Sequence, residues 1–215
     1  MQYVKVNLFP LSDVVLYPHA SLPLNIFEPR YIKMIHDSIN SHTPIALMLT
    51  NFLENEQFIL KTNAGDFTET IVGIGHPQII HENVDGSMFI MLRGVGKAKL
   101  VEKTDDKQYR TYNALMIEED EEISNDSRFR INRLKNMLKL WLETNIKSKE
   151  DRETFFKKIV KPNEIVAYAA HFLVENPSHK MAILEANNIS TKLEMVLEYA
   201  KHEEIPFEGK ILAIS

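Results

Sequence analysis

Leu8-Phe9-Pro10-Leu11-Ser12-Asp13-Val14-Val15-Leu16-Tyr17-Pro18 and Leu22-Pro23-Leu24-Asn25-Ile26-Phe27-Glu28-Pro29-Arg30-Tyr31 are the two stretches of sequence that decide the fold. Their short apolar runs are interrupted by proline, which sheets tolerate mainly at edge strands and strand ends. We therefore predict edge strands near Pro10, Pro18 and Pro23. Pro29 suits the first turn of a helix, where a missing N–H loses no hydrogen bond. The spacing that follows predicts a helix whose buried face carries Tyr31, Ile32, Ile35 and Ile39.

The first 120 residues are predicted to be rich in β-strand. Short apolar or alternating runs predict strands at 4–9, 45–49, 57–61, 70–81, 88–102 and 112–118. The segment Asn83-Val84-Asp85-Gly86-Ser87 predicts a hairpin turn. Gly94 and Gly96 interrupt the strand that follows, which predicts a β-bulge or a sharp bend. Strands at this spacing are typical of a small barrel or sandwich.

An acidic run, Glu118-Glu119-Asp120-Glu121-Glu122, marks a change in pattern. We interpret it as a solvated joint between a β-rich domain at 1–120 and a helical bundle at 121–204. The tail at 205–215 contains a short apolar run that can pack as a last strand. Five helices are predicted in the second domain, with starts at Asp126 or Ser127, near Glu150, and at Pro162, Pro177 and Ser190.

Composition narrows the class of protein. The chain has 215 residues, is 44% hydrophobic and has a net charge of −5, so it carries enough apolar residues for a core. It contains no cysteine, which excludes disulfides and thiolate metal sites. Residues 1–120 hold 10 Lys or Arg against 15 Asp or Glu, which argues against a general nucleic-acid binder. With no signal peptide and no apolar run long enough to span a membrane, the sequence predicts a cytoplasmic protein.

The ordered motifs of this chain resemble the N-terminal substrate-recognition domain of Lon-type ATP-dependent proteases, also known as the ATP-dependent protease La domain. The resemblance covers about residues 6–203. Its first part includes the two opening stretches, Asp85-Gly86 and Gly94-Val95-Gly96-Lys97. In its second part, the residues that fall in the family order are Ala170, Leu173, Lys180, Leu184, Glu185, Lys192, Leu193, Glu194 and Leu197.

The resemblance implies an α+β fold, with an N-terminal PUA-like β-barrel followed by a C-terminal α-helical bundle. It implies a stand-alone form without the ATPase and Ser-Lys protease modules, and so a protein that is not an enzyme and uses no cofactor. The implied function is binding of unfolded or exposed polypeptide, as an adaptor or holdase linked to ATP-dependent proteolysis. Its partners would be such polypeptides or a separate Lon protease, and a homo-oligomer is compatible with it. An RNA-binding PUA-like protein and a hydrolase on the same scaffold are the alternatives.

Three aromatic residues are the candidate polypeptide-binding site: Tyr17, Phe27 and Tyr31. Aromatic side chains offer a large contact area at small entropic cost. The structural alternative is that Phe27 packs at the helix start, where Glu28 favours the positive end of the helix dipole.

The other motifs do not predict a phosphate-binding, metal-binding or catalytic site. Gly94-Val95-Gly96-Lys97-Ala98 lacks the glycine spacing and the hydroxyl of a phosphate-binding loop, so a bulge is favoured there. The eight histidines lack metal-ligand spacing, and no Gly-x-Ser-x-Gly motif is present. Trp141 is predicted to be core. The basic residues of the first long helix predict either a solvated face or a surface for an anionic partner: Arg128, Arg130, Arg133, Lys135 and Lys139.

Overall fold

The computed structural model describes residues 2–12, 14–50, 67–105, 108–124, 127–202, 205–207 and 210–212. The chain forms two compact units, residues 1–118 and 119–215, called unit 1 and unit 2 below. Whether each unit folds independently, as a domain does, stays a prediction. The strand predicted at 57–61 lies outside the described residues.

Unit 1 has six described strands and one described helix: β1 (Tyr3–Leu11), β2 (Ser21–Ile26), α1 (Pro29–Ser41), β3 (Ile45–Leu49), β4 (Ile71–Glu82), β5 (Met88–Asp105) and β6 (Thr111–Ile117). The strands form one mixed sheet in the order β2-β5-β4-β3-β1-β6, in which only β1 and β3 are parallel. Because β5 also pairs with β6, five strands close into a barrel. β2 pairs with the first part of β5, outside that closure.

Two hydrophobic cores lie on the two faces of this sheet. Even-numbered residues of the five barrel strands form the barrel interior: Val6, Leu8, Ala46, Met48, Val72, Ile74, Ala98, Leu100, Tyr112 and Ala114. Odd-numbered residues of β1 and β3 pack on the outer face with the buried side of α1. This alternation follows from the two-residue period of a strand.

A β-bulge at Val95 lets β5 contribute to both cores. Ile74 pairs with Gly96 and Gly75 pairs with Gly94, so Val95 is the extra residue. One extra residue reverses the facing of every later position. Consequently the even-numbered Met88, Ile90 and Leu92 pack on the outer face, while Ala98 and Leu100 point into the barrel. The bulge predicted from the two glycines is confirmed.

The segment from Val14 to Ala20 crosses the sheet in close contact with its glycines. The Gly94 N–H donates to the carbonyl of Ala20 at 2.8 Å, and the His19 N–H donates to the carbonyl of Gly94 at 3.2 Å. A Cβ at Gly94 would lie 2.1 Å from the Tyr17 carbonyl oxygen. Glycine is therefore required here by the approach of two backbones.

The proline-based prediction of edge strands is correct for one strand. β2, which contains Pro23, pairs only with β5 among the described strands. β1 is wrongly predicted as an edge, because it pairs with both β3 and β6. Pro10 is tolerated because β6 pairs only as far as Asn7. Pro18 lies in a turn and belongs to no strand.

Unit 2 contains five described helices and a two-stranded tail: α2 (Arg128–Asn145), α3 (Lys149–Lys158), α4 (Pro162–Leu173), α5 (Pro177–Glu185), α6 (Ile189–His202), β7 (Ile205–Phe207) and β8 (Lys210–Leu212). Buried residues from α2, α4, α5 and α6 form its core, including Leu134, Leu138, Val166, Ile183, Leu193 and Val196. The barrel of unit 1 and these helices confirm the predicted α+β class.

A few residues differ from the prediction in their exposure or in their role as helix caps. Ile39, predicted on the buried face of α1, is exposed, and so is the large apolar Phe129 of α2. Ser127 makes no capping hydrogen bond to the helix that it precedes. The cap predicted at Ser190 is instead Asn188, whose Oδ1 accepts from the Ser190 N–H at 2.8 Å.

The acidic run lies where the two units divide, and four of its five residues are exposed, so it is solvated as predicted except at Glu119. The Glu119 carboxylate accepts a hydrogen bond from Lys192 Nζ on α6, and both side chains are largely buried, at 13% and 5% exposure. Asp120 accepts from the Asn188 side chain at 2.7 Å, and Glu121 accepts from Asn163 at the same distance. The run is therefore held on the helices of unit 2 by partners more than 40 residues away in sequence.

Candidate functional site

A groove of about 320 Å³ opens on unit 1 beside the start of α1, and we call it the α1 groove. Three pieces of chain bring its walls together: the end of β1, the connection from β2 into α1, and the residue that follows β3. The Thr50 N–H donates to the carbonyl of Leu11 at 2.9 Å, which holds the ends of β1 and β3 side by side. The lining residues are Phe9, Pro10, Leu11, Ser12, Asn25, Ile26, Phe27, Glu28, Arg30, Tyr31 and Thr50.

Pro29 determines where α1 begins and so how Phe27 is presented. It occupies the first turn, and the preceding Glu28 is extended, with φ −75° and ψ 127°, as a residue before proline prefers. The Glu28 carbonyl accepts from the N–H groups of Tyr31 and Ile32 at 2.9 and 3.0 Å. The chain bends at Glu28, and Phe27, which follows the buried Ile26, is 72% exposed.

The floor of the α1 groove is aromatic. The rings of Phe9 and Tyr31 lie 4.6 Å apart and are tilted by 48°, and both residues are buried. The guanidinium of Arg30 lies 4.5 Å from the centre of the Tyr31 ring, in cation–π geometry. Burial raises the pKa of Tyr31, and the Arg30 charge partly offsets this rise. Tyr31 therefore stays neutral at physiological pH.

The rim of the groove carries one exposed ion pair. Arg30 and Glu28 approach to 2.8 Å, and their side chains are 56% and 44% exposed. A pair this exposed contributes little to stability, typically about 0–1 kcal/mol. Its main effect is to hold the Arg30 guanidinium near the Tyr31 ring, at the edge of an otherwise apolar surface.

Phe27 and Tyr31 are thus brought together in this groove, and Tyr17 is not. Tyr17 is 2% exposed, and its carbonyl lies against Gly94 on the sheet. Burial raises the pKa of its hydroxyl far above the usual range. Tyr17 is not one of the residues that line the α1 groove, so the structure does not bring it together there with Phe27 and Tyr31. Its place in the opening motif is structural.

Sequence reasoning missed Phe9, Leu11 and Ile26 as groove residues. They looked like ordinary strand positions, and Phe9 does also pack in the outer core. The available signal was the clustering of apolar residues at strand ends next to proline. Which of these ends meet is set by the pairing of β1 with β3, and that pairing is not visible locally.

The other motifs and residues noted in the sequence lie within strands or pack against other side chains. Gly94 to Ala98 lies within β5. Trp141 is half-buried and stacks on Phe172, with ring centres 4.6 Å apart, so it is only partly core. His179 stacks on Tyr199 at 4.0 Å. Within the described part of the chain, no cluster of three or more His, Cys, Asp or Glu residues could hold a metal ion. Within that same part, no helix is long and apolar enough to cross a membrane.

The sequence is similar to part of much longer proteins. The Lon protease of Buchnera aphidicola subsp. Baizongia pistaciae is 23% identical over 205 residues, and Lon protease 1 of Hydrogenovibrio crunogenus is 22% identical over 207. These matches cover 94% and 93% of this chain but 25% and 24% of the two proteases. The chain therefore spans about a quarter of the length of these relatives.

The fold is similar to that of solved Lon N-terminal domains. The Lon N-terminal domain protein from Xanthomonas campestris superimposes with a TM-score of 0.62 at 17% identity, covering 91% of this chain and 98% of that one. The N-terminal domain of the Mycobacterium avium complex Lon protease gives 0.64 at 11% identity, covering 93% and 99%. At 17% and 11% sequence identity, these similarities show a shared fold and nothing more.

Family membership rests on nearly the whole chain. Residues 5–202 match the family described as the ATP-dependent protease La (LON) substrate-binding domain. The match spans the barrel and the helices, including both opening stretches and the Lys192-Leu193-Glu194 motif of α6. The resemblance inferred from the ordered motifs is confirmed. The chain therefore belongs to the Lon substrate-binding domain family.

Proposed function

We propose that this protein binds unfolded or exposed polypeptide segments in the α1 groove, as an adaptor or holdase for ATP-dependent proteolysis in the cytoplasm. Membership of a substrate-binding family supports this role. The observation that carries the proposal is Phe27, a large apolar side chain 72% exposed at an apolar groove. Burying such a side chain against a ligand is worth about 1.5–3 kcal/mol, which makes it a natural anchor.

The groove supports binding of an extended segment with an apolar side chain. Its floor, Phe9 and Tyr31, is aromatic and already ordered by core packing, so little entropy is lost when a ligand binds. Asn25 and Ile26 of the groove belong to β2, which pairs on one side only among the described strands. A bound segment can therefore continue along β2 as an added strand. Pro23 lacks an N–H and limits that pairing to the end of β2 nearest the groove.

The proposal is tested by fluorescence anisotropy of a labelled, permanently unfolded polypeptide titrated with the protein in the absence of ATP. We expect saturable binding in the micromolar range, on the order of −8 kcal/mol. The polypeptide should remain intact on a gel, because the proposed role is binding without cleavage. Absence of binding at high protein concentration would contradict the proposal.

Phe27→Ala is the decisive variant, and Phe129→Ala is its matched control. Phe129 is 78% exposed, close to the 72% of Phe27, but lies on α2 in unit 2. Because both rings are mostly in solvent, neither truncation should lower the melting temperature. We expect Phe27→Ala to weaken polypeptide binding about tenfold, equivalent to about 1.4 kcal/mol, and Phe129→Ala to leave it unchanged. Equal loss in both variants would place binding outside the α1 groove.

A further inference from the structure

A second and larger groove lies between α2 and α3 of unit 2, with a volume of about 550 Å³. We call it the α2–α3 groove. Its walls come from two helices joined by a short connection, so both walls are local in sequence. The lining residues are Lys135, Asn136, Lys139 and Glu143 from α2, and Lys149, Arg152, Glu153, Phe156 and Lys157 from α3.

The charge of this groove is strongly positive, with five basic side chains against two acidic ones. Lys139 lies 3.9 Å from Glu143, and Lys149 lies 3.8 Å from Glu153, and all four side chains are about half exposed or more. Such long, exposed pairs are worth only a few tenths of a kcal/mol, about 0.3–0.5 in helices. The surface is basic although the whole chain has a net charge of −5.

Local hydrogen bonds hold the connection between the two helices of the groove. Arg152 donates through Nη1 to the carbonyls of Ile146 and Lys147, which ties α3 to the connection after α2. Ser148 caps α3 by accepting from the Asp151 N–H at 3.2 Å. These contacts fix the start of α3 relative to the connection that follows α2.

An apolar element lies among these charges. Phe156 is half-buried in the lining, and its ring contacts that of Phe155 edge to face, with centres 6.0 Å apart. Phe155 in turn contacts Tyr168 and Phe172 in the same unit, at 5.0 and 5.9 Å. The groove thus combines dispersed positive charge with a supported aromatic surface.

We propose that the α2–α3 groove binds an acidic polypeptide segment that carries apolar side chains. Its spaced carboxylates pair with the groove's lysines, and an apolar side chain packs on Phe156. Glu143 and Glu153 interrupt the positive charge at intervals, which suits separated carboxylates and repels the continuous charge of a nucleic-acid backbone. This site is distinct from the α1 groove and does not depend on the function proposed there.

The test is a titration of the full chain against a short labelled peptide of alternating Glu and Leu, with a Gln and Leu peptide as the neutral counterpart. We expect saturable binding of the acidic peptide that weakens as salt is raised, and at least tenfold weaker binding of the neutral one. A single-stranded oligonucleotide of the same charge should compete poorly. Tighter binding of the oligonucleotide, or no binding of the acidic peptide, would overturn the proposal.

The chain offers closely matched variants in adjacent positions of α3. Lys157 lines the groove and Lys158 does not, and both are exposed in the last turn of the helix. We expect Lys157→Glu to weaken acidic-peptide binding about tenfold and Lys158→Glu to change it less than about twofold, since only the former reverses charge within the groove. Lys157→Gln, a milder change, should give an intermediate loss. Equal effects at the two positions would overturn the assignment to this groove.

Phe27→Ala separates this site from the α1 groove. It should leave binding of the acidic peptide unchanged, because Phe27 belongs to unit 1. A loss of acidic-peptide binding in Phe27→Ala would show that the peptide occupies the α1 groove, and would overturn the proposal for α2–α3. A melting temperature measured for every variant confirms that the protein tested is folded.

Discussion

Glycine is required at position 94 because two backbones meet there. A Cβ on Gly94 would lie 2.1 Å from the Tyr17 carbonyl oxygen, whereas a Cβ on Gly96 would first meet the end of the Met116 side chain at 3.1 Å. A carbonyl that belongs to a hydrogen-bonded crossing segment cannot move, but a methionine side chain can. Both glycines belong to the motif Gly94-Val95-Gly96-Lys97. A backbone carbonyl restricts position 94, whereas only a side chain restricts position 96.

We therefore expect Gly94→Ala to lower the free energy of unfolding by about 3 kcal/mol, the upper end of the usual cost of overpacking. It should also disturb the two backbone hydrogen bonds that join Gly94 to Ala20 and His19. Gly96→Ala should cost less than about 1 kcal/mol, because Met116 can rearrange. Chemical denaturation of both variants is the measurement. Similar losses would contradict the close approach of the segment from Val14 to Ala20.

A second prediction at the scale of single residues concerns the dependence of stability on pH. Burial, with a smaller contribution from the charge of Lys180, lowers the pKa of His171 to about 4. Its Nδ1 atom is buried without a hydrogen-bond partner among the described residues. As pH falls below the ordinary histidine value, the unfolded chain binds a proton that the folded chain does not. Stability is therefore lost between about pH 6.5 and pH 4, by up to about 3 kcal/mol.

The measurement is thermal unfolding at pH 7 and at pH 5 for wild type, His171→Leu and His76→Gln. His171→Leu should remove part of the loss seen at pH 5, because leucine cannot take up a proton in the unfolded chain. His76 is exposed on β4, and its replacement should keep the wild-type pH dependence. Identical pH dependence in all three proteins would refute the role of His171.

At the scale of elements, the buried pair of Glu119 and Lys192 joins the acidic run to α6. Burial lowers the pKa of Lys192, while the charges of Glu119 and Glu121 oppose that shift. Removing one member of such a pair leaves the other charge buried without its partner, and this typically costs about 3–5 kcal/mol. Replacing both members with apolar residues avoids that penalty.

We expect Glu119→Leu and Lys192→Met to each destabilise the protein by about 3 kcal/mol, and the double variant to be within about 1 kcal/mol of wild type. The control is the exposed pair of Arg130 and Glu194, 2.8 Å apart, whose side chains are 50% and 62% exposed. Its removal should cost less than about 1 kcal/mol. Additive losses at Glu119 and Lys192, measured by denaturation, would show that the two side chains do not interact.

At the scale of the whole molecule, each unit contains its own hydrophobic core. The two cores of unit 1 are formed entirely by residues before 118, and the helices of unit 2 bury their own apolar faces. The two proposed grooves are also divided in this way, since the α1 groove is lined by unit 1 and the α2–α3 groove by unit 2.

We therefore expect fragments 1–118 and 119–215 to fold when each is expressed alone, as domains with their own cores do. Each should unfold in a single cooperative transition followed by circular dichroism. The two fragments should also separate the proposed activities, with unfolded polypeptide bound by 1–118 and the acidic peptide by 119–215. Failure of either fragment to melt cooperatively would show that the division at residue 118 is not a domain boundary.

The sequence by itself determined the features that depend on neighbours in the chain. Pro29 begins α1, Gly94 and Gly96 produce the bulge in β5, and the 3.6-residue periodicity places most helices of unit 2. The ordered motifs also sufficed to recognise the family, because they preserve turns, bulges and core positions that the fold requires. In each case the physical cause lies within a few residues of the motif.

Only the tertiary structure decided which residues meet across long separations. The exposure of Phe27 and the burial of Tyr17 depend on elements that are distant in the sequence, since Tyr17 lies against Gly94 of β5. The pairing of Glu119 with Lys192 joins residues 73 positions apart in the sequence. The spacing of apolar residues indicates that a residue faces a core, but it does not indicate which element covers that residue. Phe27 and Phe129 are similarly exposed, yet one lies at a groove and the other on an exposed helix face, because strand pairing and helix packing are set by the whole molecule.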